Sequence, residues 1–324
     1  MSTISRAGAC AVLLALAAAP AARAQEAYPS RNVTLVVPYT PGTGADILAR
    51  LLGPKLAERW KVAVITDNRA GAIGNIGTDH VAKSPPDGYT LLCVATSFGT
   101  NPPLHKKLPF DPVKDFAPVV LLATSAVSLT VNPDFPARSL AEFLDVARKS
   151  PGKYYYASPG SGGPQHLAME LLKQELKFDM VHVPYKGSGG AITDLLAGHV
   201  QAMVISLQTA APYVHGGKLR MLAVMSAKRS PAFPDVPTLK EQGLGDLEVE
   251  TWYGLFAPAG TPGAVVTKIN ADLNALLKEA DVRAFLEKQG MNAEGGTPER
   301  FGGLVKSELA RWSRVVKAAG IKAD

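Results

Sequence analysis

Residues 33–50 read V-T-L-V-V-P-Y-T-P-G-T-G-A-D-I-L-A-R. Val33, Leu35, Val36 and Val37 make a short apolar run rich in β-branched residues, as a buried strand requires. Pro38 to Ala45 are turn residues, among them Gly42 and Gly44, which tolerate positive φ. From Asp46 a helical pattern begins, with Ile47, Leu48, Leu51, Leu52 and Leu56 on one face. The order is therefore strand, glycine loop, helix. At such a junction the free N–H groups of the loop and first helical turn converge where the helix dipole is positive, which suits an anion, phosphate or carboxylate. The stretch is not a P-loop, because no Lys-Ser or Lys-Thr follows the glycines, and Ile47 stands where a dinucleotide fingerprint needs its third glycine. A tight turn with no ligand satisfies the same residues.

Outward from this stretch the same design recurs. Val181–Pro184 leads through Tyr185, Lys186, Gly187, Ser188, Gly189 and Gly190 into the helical run Ala191–Ala197. A third loop, Ala157-Ser158-Pro159-Gly160-Ser161-Gly162-Gly163-Pro164-Gln165-His166, follows a strand-like run at Tyr154–Ala157; its hydroxyls can donate to the same ligand. His166 reads either as a ligand contact or as a helix-start residue bonded to the loop backbone. A fourth loop, Ala95 to Asn101 with Ser97 and Phe98, leaves a central strand. All four lie at carboxyl ends of strands, where open α/β sheets bind ligands. Two cradles facing each other across a cleft would hold the two ends of a small polyanion through backbone N–H groups. Asp46 and Asp194 lie near helix starts, where a carboxylate satisfies orphan N–H groups.

Strand and helix signals alternate along the chain, which predicts an α/β fold with largely parallel sheets. The alternation breaks near 125, where Val119–Ala123 and Val127–Val131 are separated only by Thr124-Ser125-Ala126, and again at Leu219–Met225 with the loop after it. Read as two crossings, these split the chain into one lobe of 27–125 plus 226–324 and an inserted lobe of 126–225. Ser139 with Glu142 predicts a capping box; Thr261-Pro262 and Thr297-Pro298 each predict an N-cap before a first-turn proline. Pro54 predicts a kink or break in the first helix.

Arg6, the apolar Ala11–Ala19 and the Ala22-Arg23-Ala24 site before Gln25 predict an export leader cleaved after Ala24, and so a soluble, exported product. Its removal lowers the formal charge from +6 to +4. The basic residues are scattered, which argues against nucleic acid as a partner. Only Cys93 then remains, so no internal disulfide forms, and Cys93 reads as a small buried hydrophobe. No G-x-S-x-G, H-E-x-x-H or cysteine pair is present, and the six histidines lack metal-ligand spacing, so neither a catalytic set, a metal nor a cofactor is expected.

Several motifs in fixed order resemble the Bug-type receptors, periplasmic solute-binding proteins linked to tripartite tricarboxylate transporters. They are Val36–Arg50, Asp67–Gly77 (D-N-R-A-G-A-I-G-N-I-G), Pro86–Leu91, Leu108–Pro112, His182–Gln201 and Leu219–Val224, and the likeness runs from Tyr28 to the C-terminus. The resemblance implies a two-lobed α/β fold of the type II periplasmic binding protein kind, with two crossover segments and a ligand cleft between the lobes. It implies a carboxylate held by main-chain amides of the first loop (Thr40, Thr43, Gly44, Ala45, Asp46), bordered by Tyr39, and of the second (Tyr185, Lys186, Gly187, Ser188, Gly189). It also implies delivery by a monomer to membrane permease subunits. Thr43 departs from the usual P-P-G-G loop by adding a hydroxyl. The segment Val204–Gln208, with Ser206 in it, lacks the acid many relatives carry there, which disfavours amino-acid ligands. The expectation is a receptor for a small dicarboxylate; the rivals are a sensory receptor for a signalling partner and an enzyme on the same fold.

Overall fold

The computed structural model describes residues 28–105, 107–244 and 247–319. The expected leader, 1–24, lies outside them. In chain order the elements are β1 (Val33–Val37), α1 (Gly44–Trp60), β2 (Val64–Asn68), α2 (Asn75–Ala82), β3 (Thr90–Ala95), the single turn α3 (Ser97–Thr100), β4 (Phe116–Val131), α4 (Leu140–Lys149), β5 (Tyr155–Ser158) and α5 (Pro164–Leu176). Then follow β6 (Val181–Pro184), α6 (Ser188–Leu196), β7 (Ala202–Ser206), α7 (Leu207–His215), β8 (Arg220–Val224), β9 (Glu250–Pro258), α8 (Gly263–Leu276), α9 (Ala280–Lys288), β10 (Asn292–Ala293) and α10 (Pro298–Ala319).

The strands run in the order β2-β1-β3-β9-β4-β7-β5-β6, with β8 and β10 also on β4. β1 pairs in parallel with β2 and β3, and β5 with β6 and β7. Parallel pairing places α1, α3, α5, α6 and α7 each directly after a strand's carboxyl end, which brings the loops of interest to the same ends of the sheets. The antiparallel members are β9 and β4. The first part of β4, residues 116–126, pairs with β9; the last part, 127–131, pairs with β7 and β8. The two apolar runs read from the sequence are thus one strand, and Thr124-Ser125-Ala126 is the point where it changes sheet. The chain returns with β9, whose first residue Glu250 faces Ala126. Phe233, Leu239, Leu247 and Val249 pack into clusters with second-sheet residues, so residues 226–244 and 247–249 belong by packing with that sheet.

The core follows the strands. One cluster joins Val33, Leu35 and Val37 of β1 to Leu48, Leu52 and Leu56 of α1. Another joins Leu129 and Val131 of β4 to Leu167 and Leu172 of α5. α10 packs on both sheets: Phe301 and Val305 lie with Phe98 and Phe256 in a further cluster that includes Val36 of β1 and Leu92 of β3, while Trp312 and Val316 lie in the second-sheet core.

Three local expectations change. α1 runs unbroken through Pro54, which leaves the exposed Arg50 carbonyl without its helical donor and the helix intact. Thr297 does cap α10, its Oγ1 accepting from Arg300 N at 3.2 Å, but Thr261 turns back to donate to the Pro258 carbonyl and α8 starts one residue later, after Pro262. In the Ser139–Glu142 box, Ser139 Oγ accepts from Glu142 N, while the Glu142 carboxylate reaches past Ser139 to Arg138 N.

Candidate functional site

The first loop is braced from below. Asp46 is buried at the start of α1; its carboxylate accepts from Gly42 N (2.9 Å), Arg50 Nε (3.0 Å) and Asn68 Nδ2 (2.9 Å). Burial by itself raises this carboxyl, but the bonds from Arg50, Gly42 and Asn68 outweigh it and hold it below the ordinary carboxylate value. With its oxygens so engaged, Asp46 fixes the loop's shape and Gly42 takes φ +84°. The Thr43 hydroxyl donates to the Thr40 carbonyl at 3.1 Å and gives the helix no cap. The amides of Gly44 and Ala45 in the first turn therefore have no side-chain acceptor among the described residues. Gly44 is a glycine by necessity: a Cβ there would lie 2.4 Å from the buried Tyr253 ring. Tyr39, half-buried, shares a 2.6 Å hydrogen bond with Ser97 Oγ, accepts from Ala95 N (3.1 Å), and is pushed up to about 12 by burial, so the phenol stays protonated.

The second loop has the same form. Gly187, at the N-cap position of α6, takes φ +144°, and a Cβ on it or on Gly189 would meet nothing within 4 Å. No side chain caps α6, leaving the Ser188 and Gly189 amides at a helix start with open space beside Gly187 and Gly189. Tyr185 is anchored at both ends: its N–H donates to the Ser158 carbonyl (3.0 Å) and its hydroxyl to Asp194 (2.5 Å). Burial and the Asp194 carboxylate push the phenol up to about 12. Lys186 is exposed, with no ion-pair partner among the described residues.

The third loop is held by two histidines. His166 Nδ1 accepts from Gly162 N at 2.7 Å, which is the backbone role read as one of its two possibilities. Its ring stacks on His182 at 3.8 Å and 7° between planes, and His182 Nε2 lies 2.6 Å from Ser158 Oγ. Ser158 also donates to the Gly160 carbonyl. Ser206, at the start of α7, bonds Thr209 and does not cap the helix backbone.

No hydrogen bond or ion pair joins residues 40–45 to 185–189 among the described residues. They are connected through Gly71–Gly74, a segment read from the sequence as part of the Asp67–Gly77 motif and given no site role there. A Cβ on Gly74 would press on the Tyr39 ring (3.0 Å), and one on Gly160 would lie 3.7 Å from both Ile73 Cδ1 and the Tyr185 carbonyl. So Tyr39 with Ser97, the second loop and the third loop converge around Ile73. Thr40 is exposed, and Ser161 half-buried with no side-chain bond among the described residues. Two further contacts span the sheets: Leu104 lies against Gly162, and Gln208 donates through Nε2 to Tyr253 Oη at 2.5 Å and accepts at Oε1 from Ser125 Oγ at 2.6 Å. Nothing in the spacing of Gln208, Tyr253 or Leu104 marks them; only the glycine opposite each apolar side chain does.

Two sheets sharing one long strand, two crossings and glycine loops at strand carboxyl ends make this a two-lobed α/β fold of the type II periplasmic binding protein kind. Residues 48–321 match the tripartite tricarboxylate transporter family receptor profile, TctC, and the chain belongs to that family. It is 41% identical over 292 residues to a protein of Pseudomonas sp. (strain P51) from the tcbD–tcbE intergenic region, covering 90% of this chain and 87% of that one. It is 34% identical over 314 residues to BugT of Bordetella pertussis (strain Tohama I), covering 96% of each. Among solved structures it resembles an R. palustris protein with adipate (TM-score 0.87, 36% identity, 92% of this chain and 100% of that one). It also resembles MatC from Rhodopseudomonas palustris with bound malate (TM-score 0.82, 35% identity, 89% and 100%).

Proposed function

We propose that this chain is a periplasmic receptor that captures a small dicarboxylate between its lobes and hands it to the permease subunits of a tripartite tricarboxylate transporter. One carboxylate sits on the Gly44 and Ala45 amides and the other on the Ser188 and Gly189 amides. The observation that carries the reading is the pair of uncapped helix starts, α1 and α6, one per lobe, with open space beside Gly42, Gly187 and Gly189. Adipate and malate in the related structures support the ligand class. A ligand drives closure only by its preference for the closed state, so both lobes must contribute contacts. Water exclusion then strengthens each N–H···O⁻ bond.

Backbone donors and side-chain donors are separated by two variants. Gly187→Pro removes the φ that α6's N-cap needs and is expected to abolish adipate or malate binding in calorimetry. Ser188→Ala removes one hydroxyl and is expected to cost about 1 kcal/mol or less. Equal damage from both would show that the hydroxyl, not the amide, is the donor. Failure of adipate, malate and a wider carboxylate panel to raise the melting temperature would overturn the reading.

A further inference from the structure

The segment Gly71–Gly74 has a backbone that its sequence does not favour. Gly71 and Gly74 take φ +138° and +97°, which glycine permits, but Ala72 (φ +47°) and Ile73 (φ +54°, ψ +34°) between them are also left-handed. A β-branched residue is a genuine outlier there, because its Cβ and Cγ atoms crowd the backbone. Such conformations persist where the surroundings over-determine them, and they gather at clamps and switch regions.

The strain places Ile73 at one spot. Its side chain reaches from the loop between β2 and α2, in one lobe, to Gly160 in the loop between β5 and α5, in the other. Ile73 lies within van der Waals reach of Gly160: a Cβ there would meet Ile73 Cδ1 and Cγ1 at 3.7 and 3.9 Å, so a side chain larger than a methyl would press on it. Two residues on, Leu104 of the first lobe packs more closely still on Gly162, where a Cβ would lie 2.1 Å from its Cδ1, and Leu104 is buried in the second lobe's core. The third loop thus seats two apolar side chains from across the cleft. Leu104 is fully committed, whereas Ile73 keeps 36% of its surface in water and is free to withdraw. Behind Ile73, Gly74 rests on Tyr39, and beside Gly160 lies the Tyr185 carbonyl, so the contact stands between the two proposed cradles.

We propose that Ile73 is a positioning residue that latches the lobes: its left-handed backbone holds the side chain forward onto Gly160, and this contact governs how slowly a bound dicarboxylate leaves. The latch rests on the receptor reading above for its ligand but not for its geometry, and the two are tested apart. In the ligand-free chain, the double variant Ile73→Cys/Gly160→Cys is expected to form an intramolecular disulfide under mild oxidation, located by peptide mapping, and neither single variant is. Small-angle scattering is expected to show the ligand-free Ile73→Gly chain more open than wild type. No disulfide, or an unchanged scattering profile, overturns the latch whatever the ligand.

The second arm uses adipate and malate with stopped-flow fluorescence. Ile73→Gly suits the left-handed backbone, so its melting temperature is not expected to fall. Its dissociation rate is expected to rise about tenfold with the association rate nearly unchanged, the split that interface contacts usually give. Ile73→Leu restores the slow rate. Gly160→Val, which pushes Ile73 away, speeds release in the wild-type background and has little effect in the Ile73→Gly background. Equal dissociation rates for wild type and Ile73→Gly, or additive effects of the Ile73→Gly and Gly160→Val changes, overturn the latch. If wild type binds no carboxylate, the receptor reading fails while the disulfide and scattering results still decide the contact.

Discussion

Asp46 shows how a loop that offers its backbone to an anion is itself kept in shape by one. The carboxylate is spent on Gly42, Arg50 and Asn68, and those partners hold its pKa down against burial. A depressed folded-state pKa means that the stabilisation is fully present above the unfolded value, about 3.9, and is lost as pH falls through the folded value. Asp46→Asn is therefore expected to lower stability by about 1–3 kcal/mol at neutral pH and to flatten the fall in stability below about pH 4, read by urea unfolding across pH. Gly44 makes a second test: Gly44→Ala is expected to cost about 1–3 kcal/mol, because its Cβ would sit 2.4 Å from Tyr253, and to cost much less in a Tyr253→Ala background. The helix-start role of Asp46 was legible from its place after the glycines. Ile73 was not, because its importance lies in a backbone conformation that its residue type disfavours, and Gly160 reads as one more loop glycine until the opposite lobe is in place.

At the scale of elements, regular alternation carried the reading and the crossings strained it. β1, β5 and β8 fall within about two residues of their apolar runs, because strand ends drift more than strand centres. β2, Val64–Asn68, is an edge strand whose second half is polar and so invisible to hydrophobic pattern. The run break at Thr124–Ala126 is three small residues, two of them polar, inside one continuous strand, since β4 pairs with β9 up to Ala126 and with β7 from Val127. What pattern alone does not reveal is that α10 lies on both cores. Its amphipathic period is the same whether it packs on one lobe or two. Trp312 is 1% exposed in the second lobe's core while Phe301 lies in the first. Trp312→Ala is expected to cost about 3–5 kcal/mol in urea unfolding, as a large aromatic lost from a core does. The same helix carries Phe301 against Gly254 of β9, so the loss is expected in one transition that both lobes share, with no separate second-lobe step.

Across the whole molecule, the two lobes are tied at three depths: the shared strand β4 at the back, the Ser125–Gln208–Tyr253 chain in the middle, and the Leu104 and Ile73 contacts at the third loop. Motion between lobes is then expected to spare the interior of each. Cys93 reports on this. Its thiol is buried between β3 and α1, donates to the Ala45 carbonyl at 3.5 Å, and is pushed up to about 12 by burial, so it reacts only when α1 lifts from the sheet. If lobes move as rigid bodies, labelling of Cys93 by a thiol reagent, located by peptide mapping, follows unfolding of the first lobe and not opening of the cleft. Ile73→Gly, which frees the cleft, is then expected to leave Cys93 labelling unchanged, while Asp46→Asn, which loosens the start of α1, speeds it by about tenfold or more per 1.4 kcal/mol lost. An anion held on the Gly44 and Ala45 amides slows the same reaction in proportion to its occupancy, because it binds the folded first lobe and not the opened one. Slowing by adipate that survives Ile73→Gly at saturating concentration would place the bound carboxylate on the first cradle through a group that never touches it.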